Sequence, residues 1–195
     1  RPASNTTTLG VAGAIAEAAS TLRTFGVRYQ ILPERSAPLA SFRNRNVILL
    51  GDPLHSLAAA KLLTRGRLNI ALDPTSNRLV IRDRRESATS PPAFARSVGR
   101  AGNAAEVYGL LTVLPSDSEP GHQRRTMIVS GVSHVGIQGA MEFFSSPARL
   151  AELLGRFRSE GLPGFPPAYQ LVVRCTADDS LPLSCSYAAH EVLEP

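Results

Sequence analysis

The spacing of apolar residues along the first third of the chain changes from helical to strand-like and back. Between residues 10 and 25 they recur every three or four positions, which predicts an amphipathic helix that ends at Gly26. The next apolar run, residues 27–32, predicts the first strand. Residues 47–50 are almost wholly apolar, as is typical of a central strand covered on both faces. Residues 57–63 predict a short helix.

The rest of the chain continues with further strands and two more helices. Turn-forming residues separate two short strands, and Ser146 followed by Pro147 starts one helix soon after another ends. The two helices are predicted at about residues 137–144 and 146–161. The predicted strands are residues 68–72, 79–82, 106–114, 125–131, 168–176 and 183–192.

The order of these elements predicts an α/β fold. We expect a single domain with a mixed, mostly central-parallel sheet, flanked by helices on both faces, and a C-terminal β-hairpin. Residues 1–8 are expected to form a flexible N-terminal segment and residues 9–195 the domain. Residues 86–104 are rich in Ser, Pro, Gly and Arg and are interpreted as a long loop. Such a loop is usually a lid, a binding loop or disordered, and disorder or a plain surface excursion is favoured.

Composition narrows the class of protein. A chain of 195 residues is long enough for a substantial core, and 43% hydrophobic with 19% charged residues is typical of a globular domain. No run approaches the ~18 consecutive apolar residues of a membrane span. The formal net charge is +5, but the arginines are scattered and Trp is absent. This pattern argues against direct binding of nucleic acid.

A strand that ends at a glycine, followed by a polar loop with a histidine and then a helix, occurs twice. The start of a helix offers unpaired N–H groups and the positive end of the helix dipole, so both loops are candidate sites for a polar or anionic ligand. The candidate residues are Gly51, Asp52, His55 and Ser56 in the first loop and Gly131, Ser133, His134, Gly136 and Gln138 in the second.

Each loop also has a structural interpretation. Asp52 and His55 are candidate proton carriers or polar anchors. However, Asp-Pro is common turn chemistry and Ser56 is a good helix cap, so the structural interpretation is favoured for the first loop. In the second loop, three glycines in nine residues permit close approach of either a ligand or another backbone segment. The sequence favours neither interpretation over the other.

The two loops share a site only if their strands are neighbours. Adjacent parallel strands present their carboxyl ends at one edge of the sheet, where open α/β sheets bind ligands. We expect this arrangement here, with His55 and His134 facing one cleft. Neither loop carries a nucleotide-binding fingerprint, a metal-ligand spacing or a nucleophile elbow, so no metal site and no cofactor is assigned.

Two cysteines, Cys175 and Cys185, lie in the predicted final hairpin. If the hairpin is symmetric about Ser180, the two face each other across the strands, close enough for a disulfide. The alternative is a pair of small buried thiols on the apolar face, and it is slightly favoured. A disulfide would indicate a location outside the cytoplasm.

Several predicted strand cores resemble an uncharacterised family of bacterial domains. The similar segments are FGVRY (25–29), NVILLG (46–51), LNI (68–70), EVYGLL (106–111), Gly136 with GAMEFF (139–144), and YQLVV (169–173). Members of that family form the C-terminus of membrane-anchored proteins, some with an N-terminal winged-helix DNA-binding domain. The domains that this chain resembles carry an Asn and an aromatic residue in the loop after the first glycine. This chain departs from that pattern, with DPLH (52–55) in the same place. The resemblance implies a sensor or accessory domain outside the cytoplasm, with no known reaction and with a strand upstream of residue 1.

These features favour a non-enzymatic ligand-sensing or interaction domain of a larger bacterial protein, with a small polar or anionic ligand at the two loops. One alternative is a transferase or hydrolase that uses Asp52, His55 or His134 as acid–base groups. Another is a structural domain for assembly. Candidate partners are the small-molecule ligand, a membrane anchor outside this chain and a second copy in a homodimer. An enzyme requires those groups to converge in a cleft, whereas an assembly domain requires an exposed apolar patch or sheet edge.

Overall fold

A computed structural model describes residues 9–34, 45–87, 90–97, 105–116, 124–178 and 181–194. The predicted flexible segment 1–8 lies outside the described residues, as do residues 88–89 and 98–104 of the predicted long loop. The helices are α1 (Leu9–Thr24), α2 (Leu57–Leu63), α3 (His134–Ser145) and α4 (Pro147–Ser159). The strands are β1 (Val47–Leu50), β2 (Leu68–Asp73), β3 (Arg78–Asp83), β4 (Phe94–Ala95), β5 (Ala105–Pro115), β6 (Arg125–Gly131), β7 (Tyr169–Ala177) and β8 (Pro182–Val192).

Five strands form the main sheet in the order β1-β6-β5-β7-β8. Only β1 and β6 pair in parallel, and the other three pairs are antiparallel. The fold is therefore mixed α/β with the expected C-terminal hairpin, β7–β8, but the prediction of a mostly central-parallel sheet was wrong. The physical reason is connectivity: β5–β6 and β7–β8 are consecutive strands joined by short connections, which produce antiparallel pairs, whereas a parallel pair needs a long crossover.

Two predictions near the N-terminus also need correction. The apolar run of β1 was expected at the centre of the sheet, but β1 is an edge strand and its four side chains are half-buried. Residues 27–32 were expected to form the first strand, but they join no sheet in the structure. Their apolar side chains remain exposed, with Ile31 at 57%. A local apolar pattern indicates that a segment is partly buried, but it does not indicate whether another strand pairs with it.

Helices α3 and α4 pack against one face of the main sheet. The glycines of α3 lie against β5 and β7, and Phe157 of α4 packs edge-on against Tyr169 of β7. The opposite face carries the small antiparallel sheet β2-β3-β4, where Phe94 of β4 stacks on Tyr108 of β5. One continuous apolar core fills both layers. None of the helices among the described residues is long and apolar enough to span a membrane.

Gln170 of β7 connects the two sheets. Its side chain is fully buried, accepts from the Leu68 N–H at 2.7 Å and donates to the Leu68 carbonyl at 2.8 Å. It also donates to Thr112 Oγ1 at 3.0 Å. Because every polar atom of the amide has a partner, this buried glutamine fixes β2 against β7 rather than marking a site.

Two arginines near the small sheet form ion pairs with carboxylates of the chain itself. Arg82 pairs with Asp73 at 2.7 Å, and Arg67 pairs with both Asp83 and Glu191. The backbone N–H of Arg85, together with the Arg67 guanidinium, lowers the pKa of Asp83 below its usual value. These contacts explain part of the positive charge without a nucleic acid partner.

Candidate functional site

The two glycine loops leave the sheet side by side. β1 and β6 are adjacent and parallel, as the shared-edge prediction required. The Gly51 N–H donates to the Val129 carbonyl at 3.0 Å, and the buried Ser130 hydroxyl donates to the Gly51 carbonyl at 2.7 Å. The loops are therefore joined at their origins by two hydrogen bonds.

The first loop is an Asp-centred turn on the surface. One carboxylate oxygen of Asp52 accepts from the N–H groups of Leu54 at 2.9 Å and His55 at 3.2 Å. Nδ1 of His55 lies 2.9 and 3.0 Å from the two carboxylate oxygens of Asp52. The His55 side chain is 81% exposed, while that of Asp52 is 17% exposed. Asp52 thus orders the turn, and the imidazole extends into solvent.

Protein groups occupy the helix start that follows this loop. The Ser56 hydroxyl accepts from the Ala59 N–H at 2.9 Å, which makes Ser56 the cap of α2. Glu34, from the segment before β1, accepts from the Ala58 N–H at 2.8 Å. Because a carboxylate of the chain itself already lies at the positive end of α2, the contacts support the structural interpretation that was favoured for this loop.

The glycines of the second loop serve close packing. A Cβ added to Gly131 would lie 2.7 Å from the Ile137 nitrogen, and one added to Gly136 would lie 2.9 Å from the Tyr108 carbonyl carbon. Ser133 caps α3 by accepting from the Gly136 N–H at 3.3 Å. Of the two interpretations that were even for this loop, backbone approach is therefore the one that the contacts support.

Helix α1 covers the beginning of α3. A Cβ on Gly10 would lie 3.0 Å from Cβ of His134, and one on Gly13 would lie 3.0 Å from the side chain of Gln138. The amide of Gln138 donates to Glu142 Oε1 at 2.8 Å. His134 and Gln138 thus pack beneath α1, and the two glycines on one face of α1 were the sequence signal for this contact.

A cleft of about 700 Å³ lies on the other side of α1. It separates α1 and residues 27–34 from β1. Of the predicted site residues, Ser56 lines it, whereas His55, His134 and the rest do not, so this cleft is not one that both loops share. The lining residues are Ile15, Ala18, Ala19, Leu22, residues 27–32, Glu34, Arg45, Asn46, Val47–Leu50 and Ser56.

Comparisons with known proteins identify no relative of this chain. No family model, no curated protein and no solved structure matches it. The resemblance of its strand cores to bacterial membrane-anchored domains therefore stays a prediction.

The cleft combines an apolar floor with charged walls. Ile15, Ala18 and Leu22 lie on one face of α1 and supply the floor. Arg28 and Arg45 lie on the walls and, within the described ranges, form no ion pair. The sequence patterns did not identify these residues, because scattered arginines and an ordinary helix face carry no motif.

The two cysteines face each other across the final hairpin. Cys175 of β7 is paired in register with Cys185 of β8, as a hairpin symmetric about residue 180 predicts. Their sulfur atoms form a disulfide, so the slightly favoured alternative of two free thiols was wrong. A Cβ on Gly139 of α3 would lie 2.6 Å from Cys185 Sγ. The disulfide therefore lies directly beneath α3, which explains the glycine at position 139 of that helix.

His190 lies near the end of the last strand, but its side chain does not face solvent. Its side chain is 5% exposed, with Nδ1 2.8 Å from the Tyr187 hydroxyl and Nε2 2.9 Å from Glu160 Oε2. Its ring packs edge-on against Phe157 at 4.7 Å. This network attaches the end of α4 to β8, away from the cleft residues. The described residues contain no cluster of acidic, histidine or cysteine side chains that could hold a metal ion.

Proposed function

We propose that this protein is a non-enzymatic binding domain whose ligand occupies the cleft between α1 and β1. The observation that carries this proposal is the cleft itself, which has an apolar floor and two arginines without ion-pair partners among the described residues. Binding sites for small ligands are typically concave and mostly apolar, with a few polar groups that fix orientation. An amphipathic ligand with one negative group matches this lining.

The geometry gives less support to acid–base catalysis. General acid–base groups act within hydrogen-bond reach of a substrate held in place. Asp52 and His55 do form a pair, but the imidazole extends into solvent and neither residue lines the cleft. His134 packs beneath α1 instead. The binding role is therefore the better match to the arrangement of these groups.

The proposal places the domain outside the cytoplasm, as part of a larger membrane-anchored protein. Its support is the Cys175–Cys185 disulfide, because disulfides persist mainly in oxidising compartments. Mass spectrometry of the protein extracted with a thiol-blocking reagent tests this location. Recovery of both cysteines as blocked thiols would contradict it.

A matched pair of variants tests the cleft. Ala19 lines the cleft and is half-buried, whereas Ala16 is exposed on another side of α1. We expect decanoate, phenylacetate or acetyl-leucine to raise the melting temperature of the native protein and of Ala16→Phe. At a hundred times the dissociation constant the gain is about 2.7 kcal/mol, which corresponds to roughly 5–10 °C for a chain of this length. The gain should disappear in Ala19→Phe, in which a ring projects into the cleft and obstructs it.

Two results would overturn the proposal. Either none of these compounds, nor any of the peptides described below, stabilises the native protein, or their stabilisation persists unchanged in Ala19→Phe. Circular dichroism of both variants verifies that each is folded, so that a lost response reports the cleft and not unfolding.

A further inference from the structure

The cleft runs along the open edge of β1. All four residues of β1 line it, and so do all six of residues 27–32 on the facing wall. Successive side chains of an extended segment point to opposite faces, so a cavity on one face would touch only alternate residues. A cavity that touches every residue lies along the edge, where the backbone itself is accessible.

Backbone groups along that edge are available for hydrogen bonding to another strand. The Gly51 N–H points toward β6, and because these groups alternate along a strand, those of Ile48 and Leu50 point away from β6 and into the cleft. Between residues 27–34 and β1, no backbone hydrogen bond forms. β1 also lacks the proline, charge or bulge that usually protects a sheet edge from pairing.

The size of the cleft matches one additional strand. A strand rises about 3.3 Å per residue, lies about 4.8 Å from its neighbour and occupies a layer about 10 Å thick, which gives roughly 160 Å³ per residue. The cleft volume of about 700 Å³ is therefore sufficient for a short extended segment. β1 itself has four residues.

The charges of the cleft favour an acidic occupant. Arg28 and Arg45 line it, and neither forms an ion pair within the described parts of the chain. The acidic residue of the lining, Glu34, is held by the N–H of Ala58 at the start of α2. A carboxylate that entered the cleft would therefore meet two arginines.

We propose, building on the proposed function, that the occupant is an extended peptide segment of a partner protein that joins β1 as an additional strand. Its backbone pairs with Ile48 and Leu50, and alternate apolar side chains pack on the α1 face formed by Ile15, Ala18 and Leu22. An acidic residue of the peptide lies beside Arg28 and Arg45. The sheet then has six strands, and the apolar edge of β1 is covered.

A set of fluorescein-labelled hexapeptides tests this inference. Valine alternates with threonine in each, and one aspartate is placed at each position in turn. Every peptide has a twin that is N-methylated at alternate residues, which removes the N–H groups that pair with β1. We expect at least one peptide to bind by fluorescence anisotropy and its twin to bind at least tenfold more weakly. The amide hydrogens of Ile48 and Leu50 should exchange at least tenfold more slowly in the complex.

Charge reversal tests the acidic residue of the peptide. Arg28→Glu and Arg45→Glu should each weaken binding at least fivefold, whereas Arg158→Glu, on the exposed side of α4, should leave it unchanged. Equal affinity in all three variants would overturn the assignment of an acidic partner.

The outcomes separate this inference from the proposed function. If decanoate or another small compound binds in a manner that Ala19→Phe abolishes, while every peptide fails or binds as well as its N-methylated twin, the cleft is a ligand site but not a strand acceptor. The inference then fails and the proposed function stands. If neither small compounds nor peptides bind, both fail.

Discussion

The two strand–glycine–helix units share a sequence pattern and a sheet edge, but they differ in what surrounds them. The second unit is enclosed: α1 lies over the start of α3, and Gly136 lies against the backbone of β5. The first unit is open: its strand β1 lines the neighbouring cleft, and of its loop residues Ser56 lines the cleft while His55 extends into solvent. The same pattern therefore supports tight helix–sheet packing in one place and an accessible surface in the other.

Position in the sheet accounts for the difference. β6 has a strand on each side, so the helix that follows it must pack closely on the sheet, and only glycine allows that approach. Among the described residues, β1 has a strand on one side only, and the cleft lies beyond its other edge. A glycine after a strand is thus evidence of a site only once the neighbours of the strand are known.

The largest expected change in stability is at Gly136, and it should exceed the change at Gly51. Gly136→Ala should destabilise the protein by about 3 kcal/mol, because the new methyl group would collide with the backbone of β5. Gly51→Ala should cost about 1–2 kcal/mol, from backbone strain at φ +146° alone, since nothing lies closer than 3.9 Å to its Cβ position. Urea denaturation followed by circular dichroism measures both. Equal costs would remove the distinction between an enclosed and an open unit.

An intermediate effect is expected at the two helix caps. Ser56→Ala should cost about 1 kcal/mol, because Ser56 is buried and its bond to the Ala59 N–H is short at 2.9 Å. Ser133→Ala should cost about 0.5 kcal/mol, because its bond to Gly136 is longer at 3.3 Å. Unfolding curves in urea test the order of the two costs. Ser56→Thr, which keeps the hydroxyl, is the control, and a larger cost for Ser133→Ala would refute the assignment.

The smallest effect is expected at the two histidines. His55→Ala should change the unfolding free energy by less than about 0.5 kcal/mol, because an exposed pair with Asp52 contributes little. His134→Ala should cost about 1 kcal/mol through lost packing beneath α1. Thermal unfolding compares the two variants with the parent protein. A larger cost at His55 would show that the first loop is held more firmly than its exposure indicates.

Sequence reasoning recovered the elements better than their arrangement. The bounds predicted for α2 and β6 agree with the structure, because a short helical pattern and a strand with an apolar centre are both local signals. The position of β1 at the edge was not predictable, because its apolar residues are half-covered by α1 rather than by a second neighbouring strand. Residues 27–32 are the opposite case. Their apolar pattern predicts a strand, but they pair with no strand among the described residues.

The candidate site was predictable only in part. The adjacency of the two loops followed from the rule for parallel strands. The cleft could not be predicted, because its walls come from α1, residues 27–34 and β1, none of which carries a chemical motif. Arginines such as Arg28 and Arg45 become informative only when the fold shows which of the 21 basic residues lack a carboxylate partner.

The parallel pairing of β1 with β6 also has a consequence for how the chain assembles. Gly51 and Ser130 are 79 residues apart, whereas the cysteines of the β7–β8 hairpin are separated by 10. Contacts between distant residues cost more loop-closure entropy, so we expect the antiparallel core of β5 to β8 to nucleate folding and β1 to dock last. The strand that docks last is also among the first to detach, which would make this side of the molecule its most readily remodelled part.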